Sequence, residues 1–279
     1  MTEVLVDGLC FGEGPRWHDG KLWFSDMHAN TVYTVDARGQ LEAVVRLEND
    51  QPSGLGWLPD GRLLIVSMTE QKLLAFDAGN LSQFADLSQL ASFYCNDMVT
   101  DARGRSYVGN FGYDLHGGGK IGKAEIILVD TDGSCRIVAD DMAFPNGTVI
   151  TPDGHTLIVG ESMGARLTAF DIEHDGSLSN RRIWAEMEGA IPDGICLDEA
   201  GGIWLASPIS NEALRILEGG QVTDRIKVEH QAYACMLGGP DGKTLHILTS
   251  KSSDPEECVQ QKSAAIEIIE VEHAGAGLP

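Results

Sequence analysis

A chain of 279 residues, 43% of them hydrophobic, is long enough to bury a substantial core as one large domain or two small ones. Its formal net charge of −22 argues against a nucleic-acid partner, because phosphate binding needs a basic surface, while the excess of carboxylates favours the local accumulation of cations. No apolar run is long enough to cross a membrane, and the opening "MTEVLVDGLC" lacks the basic and apolar regions of a secretory leader, so a cytoplasmic location is expected.

The elements repeat along the chain. "FGEGPRWHDGKLWFSD" begins at Phe11, "QPSGLGWLPDGRLLIVS" at Gln51 and "YCNDMVTDARGRSYVGN" at Tyr94. "FPNGTVITPDGHTLIVGES" follows at Phe144, "IPDGICLDEAGGIWLAS" at Ile191 and "YACMLGGPDGKTLHILTS" at Tyr233. Each is a short strand, a tight D-G, R-G or G-G turn and a second apolar strand, and most run on into a third, as in "NTVYTVDARG" and "ARLTAFDIEHDG". Aligning the turns places Glu13, Ser53, Asn96, Asn146, Asp193 and Cys235 at one repeat position, with steps of 40, 43, 50, 47 and 42 residues. A period of roughly 40–50 residues holding about four strands is that of a β-propeller. Helical patterning is almost absent. The expected fold is therefore all-β, a six-bladed β-propeller with four-stranded antiparallel blades around a central channel, forming a single domain over residues 1–279.

Two ends and two insertions complete the plan. "EVLVDG" near the start and "AAIEIIEVEH" near the end are able to pair and close the ring, which leaves few exposed edges. "FGYDLHGGGKIGKAE" (111–125) and "SKSSDPEECVQQKSAA" (250–265) break the period, and loops on a rigid ring are where binding specificity concentrates. The tail from about residue 273, "HAGAGLP", is expected to be flexible. The six cysteines are scattered without a C-x-x-C pair, as befits reduced thiols rather than a zinc knuckle or redox motif.

In a propeller, equivalent residues of the innermost strands project towards the axis at one height, so the six aligned residues should form a ring. Four of them carry an acid or amide oxygen. Carboxylates gathered in a low-dielectric channel repel one another and resist ionisation, which a bound cation relieves. Oxygen donors without thiolate or imidazole select hard ions, Ca²⁺ first, then Mg²⁺ or Mn²⁺. Spacing alone equally allows polar residues that merely hydrogen-bond water in a wet channel.

"EGPRW", "FPNG…TPDG", "IPDGICLDEAGGIWLA", "RLTAFDIEHDGSLSNRR" and "GGPDGKTLHILTS" resemble the senescence marker protein-30/gluconolactonase family in order and spacing across nearly the whole chain. The resemblance implies a six-bladed propeller with one divalent metal ion in its channel, usually hydrolysing lactones. It implies Glu13, Asn146 and Asp193 as metal ligands, with Ca²⁺ as the expected ion and Zn²⁺, Mn²⁺ or Mg²⁺ as alternatives. Asn96 matches a position that contacts substrate and sometimes the metal.

The departures point to a different substrate. Tyr94 stands where the family's sugar-acid lactonases carry arginine, Met98 and Val99 replace frequent glycine and lysine, and the loop 111–125 shows no clear counterpart of the glutamate that grips sugar hydroxyls. Asn96, Tyr94, Met98 and His116 are thus the expected substrate contacts, in a pocket suited to a lactone less polar than a sugar-acid lactone. Asp193 is the expected general base, with Glu13 as its rival. A phosphotriester hydrolase or lactone isomerase on the same metal site, and a non-catalytic metal-binding propeller, are the competing functions.

Two motifs are set aside. "GESMG" (160–164) has the G-x-S-x-G form, but "ARLTAF" after it reads as a strand where a nucleophile elbow needs a helix. "GGGKIGKA" (117–124) has Ala124 where a P-loop needs serine or threonine. Of the histidines, His28, His116 and His155 are possible acid–base groups, and His116 in the long loop is the one placed to matter.

Overall fold

The computed structural model describes residues 1–276. Among them, strands assemble into six antiparallel sheets of four strands each, the six-bladed propeller expected from the repeat. The first blade shows how a blade forms. Gly12–His18 turns at Asp19-Gly20 into Lys21–Asp26, which leads through a single 3₁₀ turn into Thr31–Val35 and then Leu41–Arg46. Asp19 and Gly20 both take positive φ, 49° and 74°, as a two-residue hairpin turn of the primed type requires.

Burial follows radius. The innermost strands Cys95–Thr100 and Pro145–Ile150 are buried at every residue, whereas the outermost strands Asn80–Asp86 and Val222–Lys227 are mostly exposed. Apolar side chains between adjacent blades form the core, with Leu64, Leu73, Val108 and Ile127 filling the space between the second and third blades. Such packing explains why the middle strands read as continuous apolar runs while the outer ones alternate.

The ring closes as the terminal strands suggested. Glu3–Leu9 pairs antiparallel with Ala264–Glu270 and completes the sixth blade, so the two ends of the chain share one sheet. Of the tail expected from about residue 273, residues 274–276 hydrogen-bond to the fifth and sixth blades. Ala276 N–H donates to Leu197 O at 2.9 Å, and Gly275 N–H to Gly242 O at 2.9 Å. The remaining residues 277–279 lie outside the described part. No helix among the described residues is long and apolar enough to cross a membrane.

One local irregularity matters more than the rest. In five blades the pairing of the innermost strand with its neighbour slips just after the strand begins: at Glu13/Arg16, Pro52/Leu55, Cys95/Met98, Pro145/Thr148 and Ala232/Ala234. Such bulges re-aim a side chain out of the sheet plane and occur beside active sites. They also bring neighbouring blades very close. A β-carbon on Gly54 would stand 2.4 Å from the backbone nitrogen of Met98 in the next blade. Gly54→Ala is therefore expected to destabilise the protein by about 1–3 kcal/mol, the usual cost of overpacking, which a shift in the urea unfolding midpoint will measure.

Candidate active site

The bulged ends of the innermost strands open into a cavity of about 520 Å³ at one end of the channel. Glu13, Asn96, Asn146 and Asp193 all line it, so the repeat position does converge. Two members of the expected ring do not. Ser53 is fully buried outside the lining, where its carbonyl oxygen accepts a hydrogen bond from Ser25 Oγ at 2.6 Å. Cys235 is buried in the core between blades.

The sixth blade instead presents Tyr233. Gly147 N–H donates to Asp193 O in the next blade, and Gly194 N–H donates to Tyr233 O in the same way, at 3.1 and 2.7 Å. Tyr233 therefore occupies the position equivalent to Asp193, and it lines the cavity. The turn-based alignment places this position at Cys235, two residues further along the same strand. Burial pushes the Tyr233 phenol up to about 12, so it stays a proton donor at neutral pH, and it donates to Gln231 Oε1.

The expected substrate contacts divide. Tyr94 lines the wall, stacked on Phe93 with ring centroids 4.2 Å apart, and His116 lines the mouth. Met98 is a correction: the slip in register between Cys95 and Met98 breaks the alternation that would put it on the same face as Asn96, and it is completely buried in the core between the second and third blades. Asp114, in the long loop, also lines the cavity, with Oδ1 tied to Gly117 N–H at 2.7 Å. His28 was weighed in the sequence and the structure brings it into the cavity near His116. Burial first, and the neighbouring His116 second, lower its pKa to about 4 and leave it neutral.

Both insertions reach the cavity. The segment after Ser250 folds into the short helix Pro255–Gln261, capped by Asp254, whose side chain accepts from Glu256 N–H and Glu257 N–H at 3.0 Å each. Ser253 and Pro255 line the rim.

Beneath the floor lies an ion pair that no motif announces. Arg16 Nη2 stands 2.8 Å from Asp97 Oδ1 in the third blade, and both residues are buried. Arg16 also donates to the carbonyl oxygens of Pro15, at 2.8 Å, and Met98. This pair balances its own charges and leaves Glu13 and Asp193 uncompensated. Burial pushes Glu13 well above the usual carboxylate range, with Asp193 and Asp97 adding to the effect. Burial, and then the charge of Asp97, push Asp193 up to about 8.

The residues fit a hard divalent cation. Asp193 Oδ1 is buried without a hydrogen-bond partner. Glu13 accepts only a 3.3 Å contact from Gly14 N–H among the described residues. Both amides spend an N–H on the protein, Asn146 on Ser162 Oγ at 3.2 Å and Asn96 on Pro145 O at 3.2 Å, which leaves each side-chain oxygen for the cavity. Ser162 Oγ in turn donates to Pro192 O at 2.7 Å, so the serine of "GESMG" orients a candidate ligand rather than acting as a nucleophile. The donors are two carboxylates and amides, which is why no group of three His, Cys, Asp or Glu side chains gathers among the described residues.

The SMP-30/gluconolactonase/LRE-like region matches residues 11–251. The chain belongs to this family. It is 26% identical to a pentonolactonase of Haloferax volcanii, over 90% of this chain and 85% of that one. A 6-deoxy-6-sulfogluconolactonase of Pseudomonas putida is 25% identical over 91% and 88% of the two chains. In fold, the chain superposes on a calcium-binding protein, regucalcin, from Agrobacterium tumefaciens with a TM-score of 0.82, at 21% identity and covering 100% and 96% of the two chains.

The raised carboxyl pKa values have a consequence for stability. For Asp193 the folded value, about 8, lies above the unfolded one, about 4. Stability is then fully present below about pH 4 and is lost as pH rises through about 8. Chelator-treated protein should show a falling melting temperature across that window, and Asp193→Asn should flatten the fall. Scanning fluorimetry in EDTA at successive pH values checks both.

Proposed function

We propose that the chain is a divalent-cation-dependent lactonase acting on a lactone less polar than a sugar-acid lactone. The observation that carries this reading is Asp193 Oδ1, buried and unpartnered beside Glu13 at the floor of an open cavity. The names of the two lactonase relatives support ring opening as the reaction. Low substrate polarity is supported by the lining, which contains aromatic residues at Phe11, Tyr94, Phe111, Phe144 and Tyr233 and neither lysine nor arginine among the described residues.

Glu13, Asn146 and Asp193 would hold the cation, with the Asn96 side-chain oxygen beside them. Calcium is the ion of choice, because every donor is a hard oxygen and the regucalcin neighbour is described as calcium-binding. Bound there, a divalent cation supplies electrophilic polarisation of the ester carbonyl and acidification of water. The remaining work falls to the chain. Asp193 accepts the proton of the water that adds to the carbonyl carbon. When the ring C–O bond breaks, the same carboxyl returns that proton to the alkoxide oxygen, so that one hydroxy acid leaves. Asn96, with one amide hydrogen spent on Pro145 O, keeps the other for the developing oxyanion. Tyr233 closes the opposite side as a neutral phenol.

Chelator-stripped protein supplied singly with Ca²⁺, Mg²⁺, Mn²⁺ or Zn²⁺ is the test, with proton release followed across a lactone panel. Cation-restored hydrolysis of aliphatic lactones supports the reading. Failure of every ion on every lactone overturns it, and faster turnover of gluconolactone than of aliphatic lactones overturns the polarity. Asp193→Asn should lower kcat about 10²–10⁴-fold, the usual contribution of a general acid–base group.

Ser162→Ala frees the Asn146 amide. It should weaken cation affinity by about 10–100-fold, as loss of a partner that orients a ligand usually does. Calorimetric titration of the stripped variant measures that change.

A further inference from the structure

The cavity has two unlike walls. In each blade the connection between the second and third strands borders its mouth, and these connections differ in chemistry around the ring. The fourth and fifth blades place Met163 and Ile209 there, at homologous positions, and the long loop of the third adds Leu115. At positions that reach solvent the first, second and sixth blades place His28, Thr69 and Ser253, with the buried Met27 and Met68 also lining the cavity, and the third-blade loop adds Asp114 and His116 beside Leu115.

The aliphatic arc is unusually open. Leu115, Met163 and Ile209 are 36%, 43% and 63% exposed, and they lie on three consecutive blades. Large aliphatic side chains left in water beside one another are costly unless something covers them in use. Deeper in the same arc, Phe111 and Phe144 stack with centroids 4.7 Å apart, so an apolar strip runs from the floor out to the rim. The cavity's volume of about 520 Å³ is several times what a lone five-atom lactone ring fills. It lies instead in the range of roughly 300–1,000 Å³ that holds larger organic ligands.

We infer that the substrate is an amphiphilic lactone whose ring carries a hydrocarbon arm of several carbons, laid along Phe144 and out over Leu115, Met163 and Ile209. This rests on the lactonase reading for the ring end and on the apolar strip alone for the arm. With no lysine or arginine among the lining residues, an arm ending in a carboxylate or phosphate would be disfavoured. The three rim residues are thus specificity determinants, set apart from the ligand residues on the floor.

The test has a catalytic and a non-catalytic arm, both on the cation-loaded protein. In the first, kcat/KM is measured for γ-butyrolactone, γ-hexalactone, γ-octalactone and γ-decalactone. The expected rise is about two- to fourfold per methylene, since a fully buried one is worth about 0.8 kcal/mol. Ile209→Ser and Met163→Ser, both at exposed positions, should each lower the decalactone-to-butyrolactone ratio several-fold. In the second arm, alkyl-substituted γ-lactams, which lack the cleavable ester, are titrated calorimetrically. Affinity climbing with chain length supports the arm site.

The outcomes separate the two proposals. Lactams that bind more tightly with length, without turnover of any lactone, uphold the arm site and remove the lactonase reading. Turnover that is flat with chain length, with flat lactam affinity, overturns the arm site and leaves the lactonase reading standing. An unchanged long-to-short ratio in both serine variants overturns the role given to the rim.

Discussion

Two carboxylates that the fold presses together without a compensating charge set the terms for this end of the propeller. Glu13 and Asp193 stand on the first and fifth blades, yet both reach the floor of one cavity. The nearest cation, Arg16, is already committed to Asp97 at 2.8 Å. Counting formal charges, the Arg16–Asp97 pair sums to zero and the other two carboxylates sum to −2, the complement of a divalent ion. The protein could have neutralised this site with a second arginine, and it has not. Isolated buried charge is strongly unfavourable, so a chain that keeps such an arrangement gains something from it elsewhere. On the function proposed above, the return is a site that would take up a cation and hold a base beside the reacting ester.

The rest of the structure is organised to bring those groups together. A regular innermost strand would point alternate side chains into the spaces between blades. Slips in register at the start of the first, third, fourth and sixth inner strands accompany the turn of Glu13, Asn96, Asn146 and Tyr233 to the cavity, whereas Asp193 reaches it from just before the fifth inner strand, Ile195–Leu197, and the slip of the second leaves Ser53 outside the lining. The cost is close approach, visible at Gly54 and at Gly147, where a β-carbon would stand 2.4 Å from Ile195 N. Glycine after the projecting residue is therefore a requirement of neighbouring blades as much as of backbone conformation. Closure of the sixth blade by the first strand then fixes the diameter within which the floor residues meet.

Much of this architecture is legible in the amino-acid sequence. Tight turns at near-regular spacing gave the six blades, the terminal strands gave the closure, and the repeat position gave four of the floor residues. The failures have a common physical cause. Register within a strand cannot be read from composition, so the sixth-blade position was assigned to Cys235, two residues past Tyr233, and Met98 was placed on the wrong face. Contacts between distant blades were equally hidden. Nothing in "EGPRW" says that its arginine meets the aspartate of "CND" some eighty positions later. The rejected motif "GESMG" holds a serine that accepts a hydrogen bond from Asn146 instead of heading a nucleophile elbow. A bulge signature, such as a glycine or a change of polarity just inside an inner strand, was the available clue.

Separation of the floor from the rim explains how one frame can serve several substrates. The floor residues belong to inner strands locked on both sides by other blades, where a small displacement would disturb the whole ring. The rim residues sit on connections between second and third strands, which touch few neighbours and tolerate insertions as large as 111–123 and 251–263. Chemistry that depends on fixed charge is thus placed where the fold is stiff, and recognition that depends on surface area is placed where the fold is permissive. In this chain the rim positions that reach solvent are filled asymmetrically, with Leu115, Met163 and Ile209 on blades three to five and His28, Thr69 and Ser253 on the other three. Such a division turns a nearly symmetric ring into a pocket with a defined direction, along which an elongated substrate has only one way to lie.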